Sequence, residues 1–247
     1  MGSSLMPLDK AVRHVFFDAG GTLISPWPSV GAIYADLARR FGRDYDPEDV
    51  EARYRRAAHQ LRRLTKQSEG PPYGTTHARQ YEWWKDLVGL VFPEWAGQSD
   101  FDAFFNALFY EMERPARYRL MDGALETIDE LKRRGYGAGL ISNWDLRLRP
   151  VLDGLGLSSR LDPIVISAEV GVEKPSSGIF KAALRQAGVD ARQAVYVGDS
   201  FEWDVLGARG VGMMPVLINC REPVPSDDSG FITISELADL LTICPPI

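Results

Sequence analysis

The residues of this chain best suited to chemistry are four separated polar groups: Asp18 with Thr22, Ser142 with Asn143, Lys174 ahead of Pro175, and Asp199 with Asp204. Two or three carboxylates, a lysine and a hydroxyl in one place ask for a balancing cation and a charged ligand. Carboxylate and carbonyl oxygens suit Mg²⁺, which leaves coordination positions for phosphate and water. Each group also has an ordinary explanation. An acid before Gly20-Gly21 marks a turn, Ser142-Asn143 caps a helix, Lys174 beside Glu173 makes an exposed pair, and Asp204 is a helix acid. Singly, those explanations are the better ones. It is the set, in this order, that points to a site.

The elements that would carry these groups can be read from the hydrophobic pattern. Residues 14–17 form a short apolar run closed by the Gly20-Gly21 turn, so Asp18 stands at the end of a buried strand. Parallel α/β sheets hold their ligand crevice at that end. From residue 122 onward, apolar runs at 136–141, 163–166, 194–197, 214–218 and 231–234 alternate with helical spacing, including helices predicted over 146–155, 180–187 and 235–241. Such alternation predicts a parallel sheet covered on both faces. Because that sheet aims every strand's C-terminal end at one edge, the four polar points can converge although they are far apart in sequence.

Between residues 25 and 117 the pattern is helical. Tyr34, Leu37, Ala38 and Phe41 keep the spacing of one apolar helix face. Asp46-Pro47-Glu48-Asp49 is a helix start, with a capping acid, proline in the first turn and acids at the positive dipole end. That helix sets Arg55, Arg56, His59, Arg62, Arg63 and Lys66 opposite an apolar stripe, the pattern of a solvated face. A break at Gly70-Pro71-Pro72-Tyr73-Gly74 precedes two further helices, over 78–92 and 101–113. Their aromatic residues, among them Tyr81, Trp83, Trp84, Trp95, Phe104, Phe105 and Phe109, form either a bundle core or the wall of an apolar substrate pocket. The expected architecture is an α/β, Rossmann-like parallel-sheet core over residues 1–25 and 117–247, with an α-helical domain over 26–116 inserted after the first core strand.

Composition restricts the partners. A net charge of −6 gives no support for a nucleic-acid or anionic-membrane surface, and no apolar run is long enough to span a bilayer. The first residues lack a signal-peptide core, and Met6 stands where a myristoylation signal needs Ser or Thr. Cys220 and Cys244 make no metal-binding pattern; reduced thiols of a cytoplasmic protein are the expectation, with a bridge between them left open. The expected partner is a small-molecule substrate, and the oligomeric state is not legible.

In its motifs the chain resembles the haloacid dehalogenase-like (HAD) hydrolase superfamily across essentially its whole length. Asp18-Ala19-Gly20-Gly21-Thr22 is similar to the first motif, a strand followed by D-x-D-x-T. Leu140-Ile141-Ser142-Asn143 is similar to the second, Gly171-Val172-Glu173-Lys174-Pro175 to the third, and Gly198-Asp199-Ser200-Phe201-Glu202-Trp203-Asp204 to the fourth, G-D-x-x-x-x-D. The helical insertion is similar to that family's mobile cap of the first type. The resemblance implies that Asp18 attacks a phosphorylated substrate and forms a covalent aspartyl intermediate. It also implies Mg²⁺ held by Asp18, Asp199 and the Gly20 carbonyl with Asp204 nearby, a phosphate oxygen gripped by Ser142 and the Asn143 amide, and charge balance from Lys174.

One position departs from the pattern. The family's phosphatases carry a second aspartate two residues after the nucleophile, where it protonates the leaving alkoxide; here that residue is Gly20. A general acid is worth ~10²–10⁴-fold in rate, so ordinary alkyl phosphates should turn over slowly. Acyl phosphates, activated aryl phosphates or a carbon–halogen bond should suffer less. His59, His77 and Glu82 are the candidates for a substitute acid. The expected activity is a Mg²⁺-dependent phosphatase without its general acid. The alternatives are a metal-free 2-haloacid dehalogenase, whose D-A-Y-G-T is similar to this chain's D-A-G-G-T, and a non-catalytic binding member. Asp199 weighs against the dehalogenase, since a second unbalanced carboxylate would raise the nucleophile's pKa.

Overall fold

The computed structural model of the protein describes residues 8–65, 76–218 and 230–247. The break expected at 70–74, Lys66 and Cys220 lie outside them. Contacts divide the chain into two compact units: Met1–Ser25 with Leu120–Trp144 and Leu155–Ile247, and Pro26–Arg119 with Asp145–Gly154.

The first unit is built on β1 (His14–Phe17). A ribbon pairs β2 (Ile24–Pro26) with β3 (Tyr118–Leu120), and the main sheet adds β4 (Gly137–Ser142), β5 (Ile164–Ile166), β6 (Ala194–Gly198), β7 (Met214–Ile218) and β8 (Ile232–Ile234) to β1. The sheet runs β5-β4-β1-β6-β7-β8, with every pairing parallel. All four residues of β1 are buried, as a central parallel strand requires. The chain leaves β1 toward β4 on one side and later returns to β6 on the other. The strand order therefore reverses between β1 and β6, which is where open α/β sheets bind ligands.

The second unit holds α1 (Val30–Arg40), α2 (Pro47–Thr65), α3 (His77–Val91) and α4 (Phe101–Glu111). Its core is aromatic: Trp95, Phe92, Phe104 and Phe105 are fully buried, and Trp95 stacks on Phe104 with 4.2 Å between ring centres. The aromatics weighed for a substrate pocket serve as this core or pack against it.

Helices α5 (Ala124–Arg133), α6 (Leu148–Gly154), α7 (Ser167–Val170), α8 (Ser177–Ala187), α9 (Leu206–Val211) and α10 (Leu240–Ile243) follow. The segment Asp145–Gly154, which alternation alone assigns to the sheet unit, groups with the helical one. Arg147 explains this. Its guanidinium lies 3.7 Å from the centre of the Phe109 ring and donates to the Phe109 carbonyl at 2.9 Å, while Asp145 accepts from the Trp84 indole at 3.2 Å. Arg147 and Asp145 also pair with one another, Nε donating to Oδ1 at 2.9 Å, and burying that ion pair is tolerable because each charge is hydrogen-bonded. Among the described residues, no helix is long and apolar enough to cross a membrane.

Candidate active site

Asp18 follows the last residue of β1, Ser142 ends β4 and Asp199 follows the last residue of β6. The parallel register puts all three at one edge of the sheet. Asp18 and Asp199 flank the place where strand order reverses. Lys174 comes from the loop between α7 and α8. That loop leaves α7 at Gly171, whose φ of +77° suits glycine, and enters α8 at Ser176, whose side chain caps the Gly178 N–H.

These groups meet around the lysine. Lys174 Nζ lies 2.8 Å from Asp18 Oδ1 and 2.7 Å from Asp204 Oδ1, and it donates to the Tyr196 hydroxyl at 2.9 Å. Tyr196 in turn donates to the Ile141 carbonyl at 2.9 Å. All three ammonium protons are thereby engaged, which is what a fully buried lysine needs in order to stay charged. Burial alone would lower its pKa, but Asp18 and Asp204 outweigh burial and hold it above the ordinary lysine range. Glu173 is buried too, and Lys174 turns to Asp18 and Asp204 instead of forming an exposed pair with it.

Asn143 fixes this lysine from behind. Its side-chain oxygen accepts from the Lys174 N–H at 2.7 Å, and its amide donates to the Lys174 carbonyl at 3.0 Å. The Asn143 side chain thus bridges the end of β4 to the lysine loop, while Ser142 sits buried at the strand end.

Asp204 reaches the site through a widened turn. After β6 the backbone makes a five-residue π-helical turn, Phe201–Val205, closed by the Leu206 N–H on the Phe201 carbonyl. Such turns insert a residue and re-aim a side chain, often at functional sites. Here the turn folds the Asp204 carboxylate back, so that Oδ2 accepts from the Ser200 N–H at 2.9 Å. A Cβ on Gly198 would stand 2.3 Å from the Asp204 carboxyl carbon, so only glycine admits this return.

One oxygen from each of Asp18, Asp199 and Asp204 lies within 4.8 Å of the others. Burial, then the charges of Asp18 and Asp204, push the Asp199 carboxyl up to about 7. Burial also raises Asp18, although Lys174 opposes it. One ammonium does not balance three carboxylates. The donor set is all oxygen, the charge deficit is positive, and Asp199 is nested against the main chain, where a Cβ on Gly21 would come within 2.2 Å of its Oδ2. These observations fit a hard divalent cation. The Thr22 hydroxyl is completely buried and has no hydrogen-bond partner among the described residues.

Gly20 has the edge of an indole near it: its Cβ, if present, would lie 3.3 Å from Trp144 Cζ3. His59, His77 and Glu82, weighed as substitute acids, are exposed residues of the helical unit. Sequence reasoning missed Tyr196, which reads as an ordinary strand former, and Trp144, which reads as a loop residue.

A sequence model of the haloacid dehalogenase-like hydrolases matches residues 12–212. The chain is 33% identical over 224 residues to the human protein named haloacid dehalogenase-like hydrolase domain-containing protein 3, covering 87% of this chain and 86% of that one. It is 28% identical over 248 residues to the ribulose-1,5-bisphosphate 5-phosphatase of Halopiger xanaduensis, covering 92% and 98%. Among solved structures it superposes on YfnB of Bacillus subtilis, described as a HAD-hydrolase bound to magnesium, with a TM-score of 0.78 at 19% identity, covering 94% of this chain and 98% of that one. With the family's model spanning four-fifths of its length and its acid–lysine cluster at the sheet edge, the chain belongs to the haloacid dehalogenase-like hydrolases.

Proposed function

We propose that this hydrolase is a Mg²⁺-dependent phosphohydrolase that works through a covalent intermediate on Asp18 and lacks a general acid at position 20. The observation that carries the reading is the meeting of Asp18, Asp199 and Asp204 within 4.8 Å of one another around a single lysine. The phosphatase name of a relative matched over nearly its full length supports it. Asp18, Asp199, Asp204 and the Gly20 carbonyl would hold the ion, which when bound supplies positive charge to the phosphoryl oxygens.

The chain's own residues do the rest. Lys174 favours the ionised, attacking form of Asp18 against the effect of burial, its ammonium lying 2.8 Å away. An Asp18 oxygen forms the new bond to phosphorus as the bond from phosphorus to the leaving oxygen breaks. Ser142 and the Asn143 main-chain N–H bind a non-bridging phosphoryl oxygen, and Asn143 keeps the lysine loop in register with β4. Water then attacks the acyl phosphate, releasing inorganic phosphate and restoring Asp18. Gly20 donates no proton, so the leaving group departs as an anion. Small phosphorylated substrates with stabilised leaving anions, such as acyl or aryl phosphates, are therefore favoured over alkyl phosphates.

The second carboxylate at 199 disfavours metal-free halide displacement, because Asp18 and Asp199 repel one another without a cation to balance them. The deciding experiment measures phosphate release from 4-nitrophenyl phosphate with and without Mg²⁺, and halide release from a 2-haloacid, for the wild type and Asp18→Asn. The expected result is Mg²⁺-dependent phosphate release that Asp18→Asn abolishes. Metal-independent halide release would overturn the reading in favour of a dehalogenase. No turnover of either substrate would overturn it in favour of a binding role.

A further inference from the structure

Gly20 and Trp144 meet although 124 positions separate them, and the main chain of each is held by hydrogen bonds. The turn after Asp18 is closed by the Gly21 N–H on the Ile24 carbonyl at 2.9 Å, and by the Leu23 and Ile24 N–H groups on the Ala19 carbonyl, each at 2.9 Å. These bonds fix the direction in which any side chain at position 20 would project. The main chain of Trp144 is fixed from the other side. The Ser167 hydroxyl accepts from the Trp144 N–H at 3.1 Å and donates to the Trp144 carbonyl at 3.1 Å, and Ser167 is completely buried. The 3.3 Å approach of the ring to a Cβ on Gly20 is tighter than ordinary van der Waals contact, so the ring edge must give way for a side chain there.

We infer that Trp144 is a specificity-determining residue of the Asp18 site: its indole edge borders the space a side chain at position 20 would enter and walls the nucleophile with an aromatic surface, selecting aryl phosphates. This rests on the phosphohydrolase reading and deepens it. Position 20 is two residues from Asp18, so the ring lies within reach of a group attached to a phosphorus bound there. Aromatic edges attract the face of another ring, and contacts of this kind change binding by about 2- to 10-fold. The site thereby exchanges a proton donor for an apolar surface. The pairing also makes the loss of the acid hard to reverse, because an aspartate restored at position 20 meets the ring.

The test is a double-mutant cycle read in two ways. For turnover, wild type, Gly20→Asp, Trp144→Ala and the double variant are assayed with Mg²⁺ on 4-nitrophenyl phosphate and on glycerol 3-phosphate. Trp144→Ala should raise KM for the aryl ester about 2- to 10-fold and leave KM for the alkyl ester unchanged. Gly20→Asp alone should gain little on the alkyl ester. The double variant should exceed the product of the single effects there by about 10-fold or more, since a working general acid is worth ~10²–10⁴-fold.

For stability, Gly20→Ala should lower the urea midpoint in the wild-type background and leave it level or raised in the Trp144→Ala background, where only the backbone effect of alanine remains. A single Gly20→Asp variant that is fully active on the alkyl ester, or Gly20→Ala effects equal in both backgrounds, would overturn the inference. If the wild type turns over neither ester, the phosphohydrolase reading fails and the substrate class falls with it. The urea cycle then still decides whether Trp144 occupies the side-chain space of position 20.

Discussion

Two glycines with nearly equal φ separate the cost of conformation from the cost of crowding. Gly21 has φ +79° and Gly42 has φ +76°. An alanine at either must enter the left-handed region, at about 1–2 kcal/mol. Around Gly42 a Cβ would meet nothing within 4 Å, so Gly42→Ala measures that backbone term alone. At Gly21 the same Cβ would stand 2.2 Å from Asp199 Oδ2 and 2.7 Å from its carboxyl carbon. Because real Cβ atoms essentially never come under 3.0 Å of a neighbour, the carboxylate must retreat by at least about 0.8 Å. A displacement of ~1 Å in a reacting constellation can cost ~10²-fold in rate. Both variants should therefore lose about 1–2 kcal/mol in urea unfolding. Only Gly21→Ala should also lose Mg²⁺ affinity by calorimetry and ~10²-fold in aryl phosphate turnover. A Gly21→Ala protein that binds Mg²⁺ and turns over as the wild type does would refute the nesting of Asp199 against this turn.

Two further outcomes follow from buried charge. Asp199 has its folded pKa raised to about 7 by burial and by Asp18 and Asp204, so its ionisation destabilises the metal-free protein as pH rises from the ordinary carboxylate range through 7. Asp199→Asn should consequently stabilise the protein in EDTA at pH 8 and not at pH 4, by up to about 4 kcal/mol and less where solvent screens the group; an equal gain at both pH values would sink this account. His14 shows the opposite sign. Burial lowers its pKa to about 4, with Asp162 opposing, so stability is full above pH 6.5 and is lost as pH falls toward 4, by at most about 3 kcal/mol. His14→Phe should flatten that component, and urea midpoints measured between pH 4 and 7 for both proteins would reveal a pH-independent difference if the reasoning is wrong.

What could be read from the sequence divides according to how local its cause is. Asp18, Ser142 and Asp199 were legible because a carboxylate or hydroxyl ending an apolar run is a local pattern, and a parallel sheet turns that pattern into convergence. Lys174 was legible through its motif, whereas the way it is held was not. Its partners Tyr196 and Asn143 act through contacts spanning 22 and 31 positions, which no window of sequence contains. The affiliation of Asp145–Gly154 was hidden for the same reason, since Arg147 reaches a carbonyl 38 positions earlier. The ribbon of β2 and β3 escaped because three-residue strands carry too few positions for an alternating pattern. Trp144 opposite Gly20 is a match of shapes, and a match of shapes exists only once the chain has folded.

The ammonium of Lys174 spends one proton on Asp18, one on Asp204 and one on Tyr196. It acts on whatever sits at Asp18 as a fixed source of field and has no hydrogen in reserve to lend. With glycine two positions beyond Asp18, the proposed mechanism draws from the surrounding solvent the proton that neutralises a departing oxyanion. Under the proposed phosphoryl transfer, bulk water becomes a working component of the catalyst, and the acidity of the departing alcohol, more than its shape alone, should set the rate.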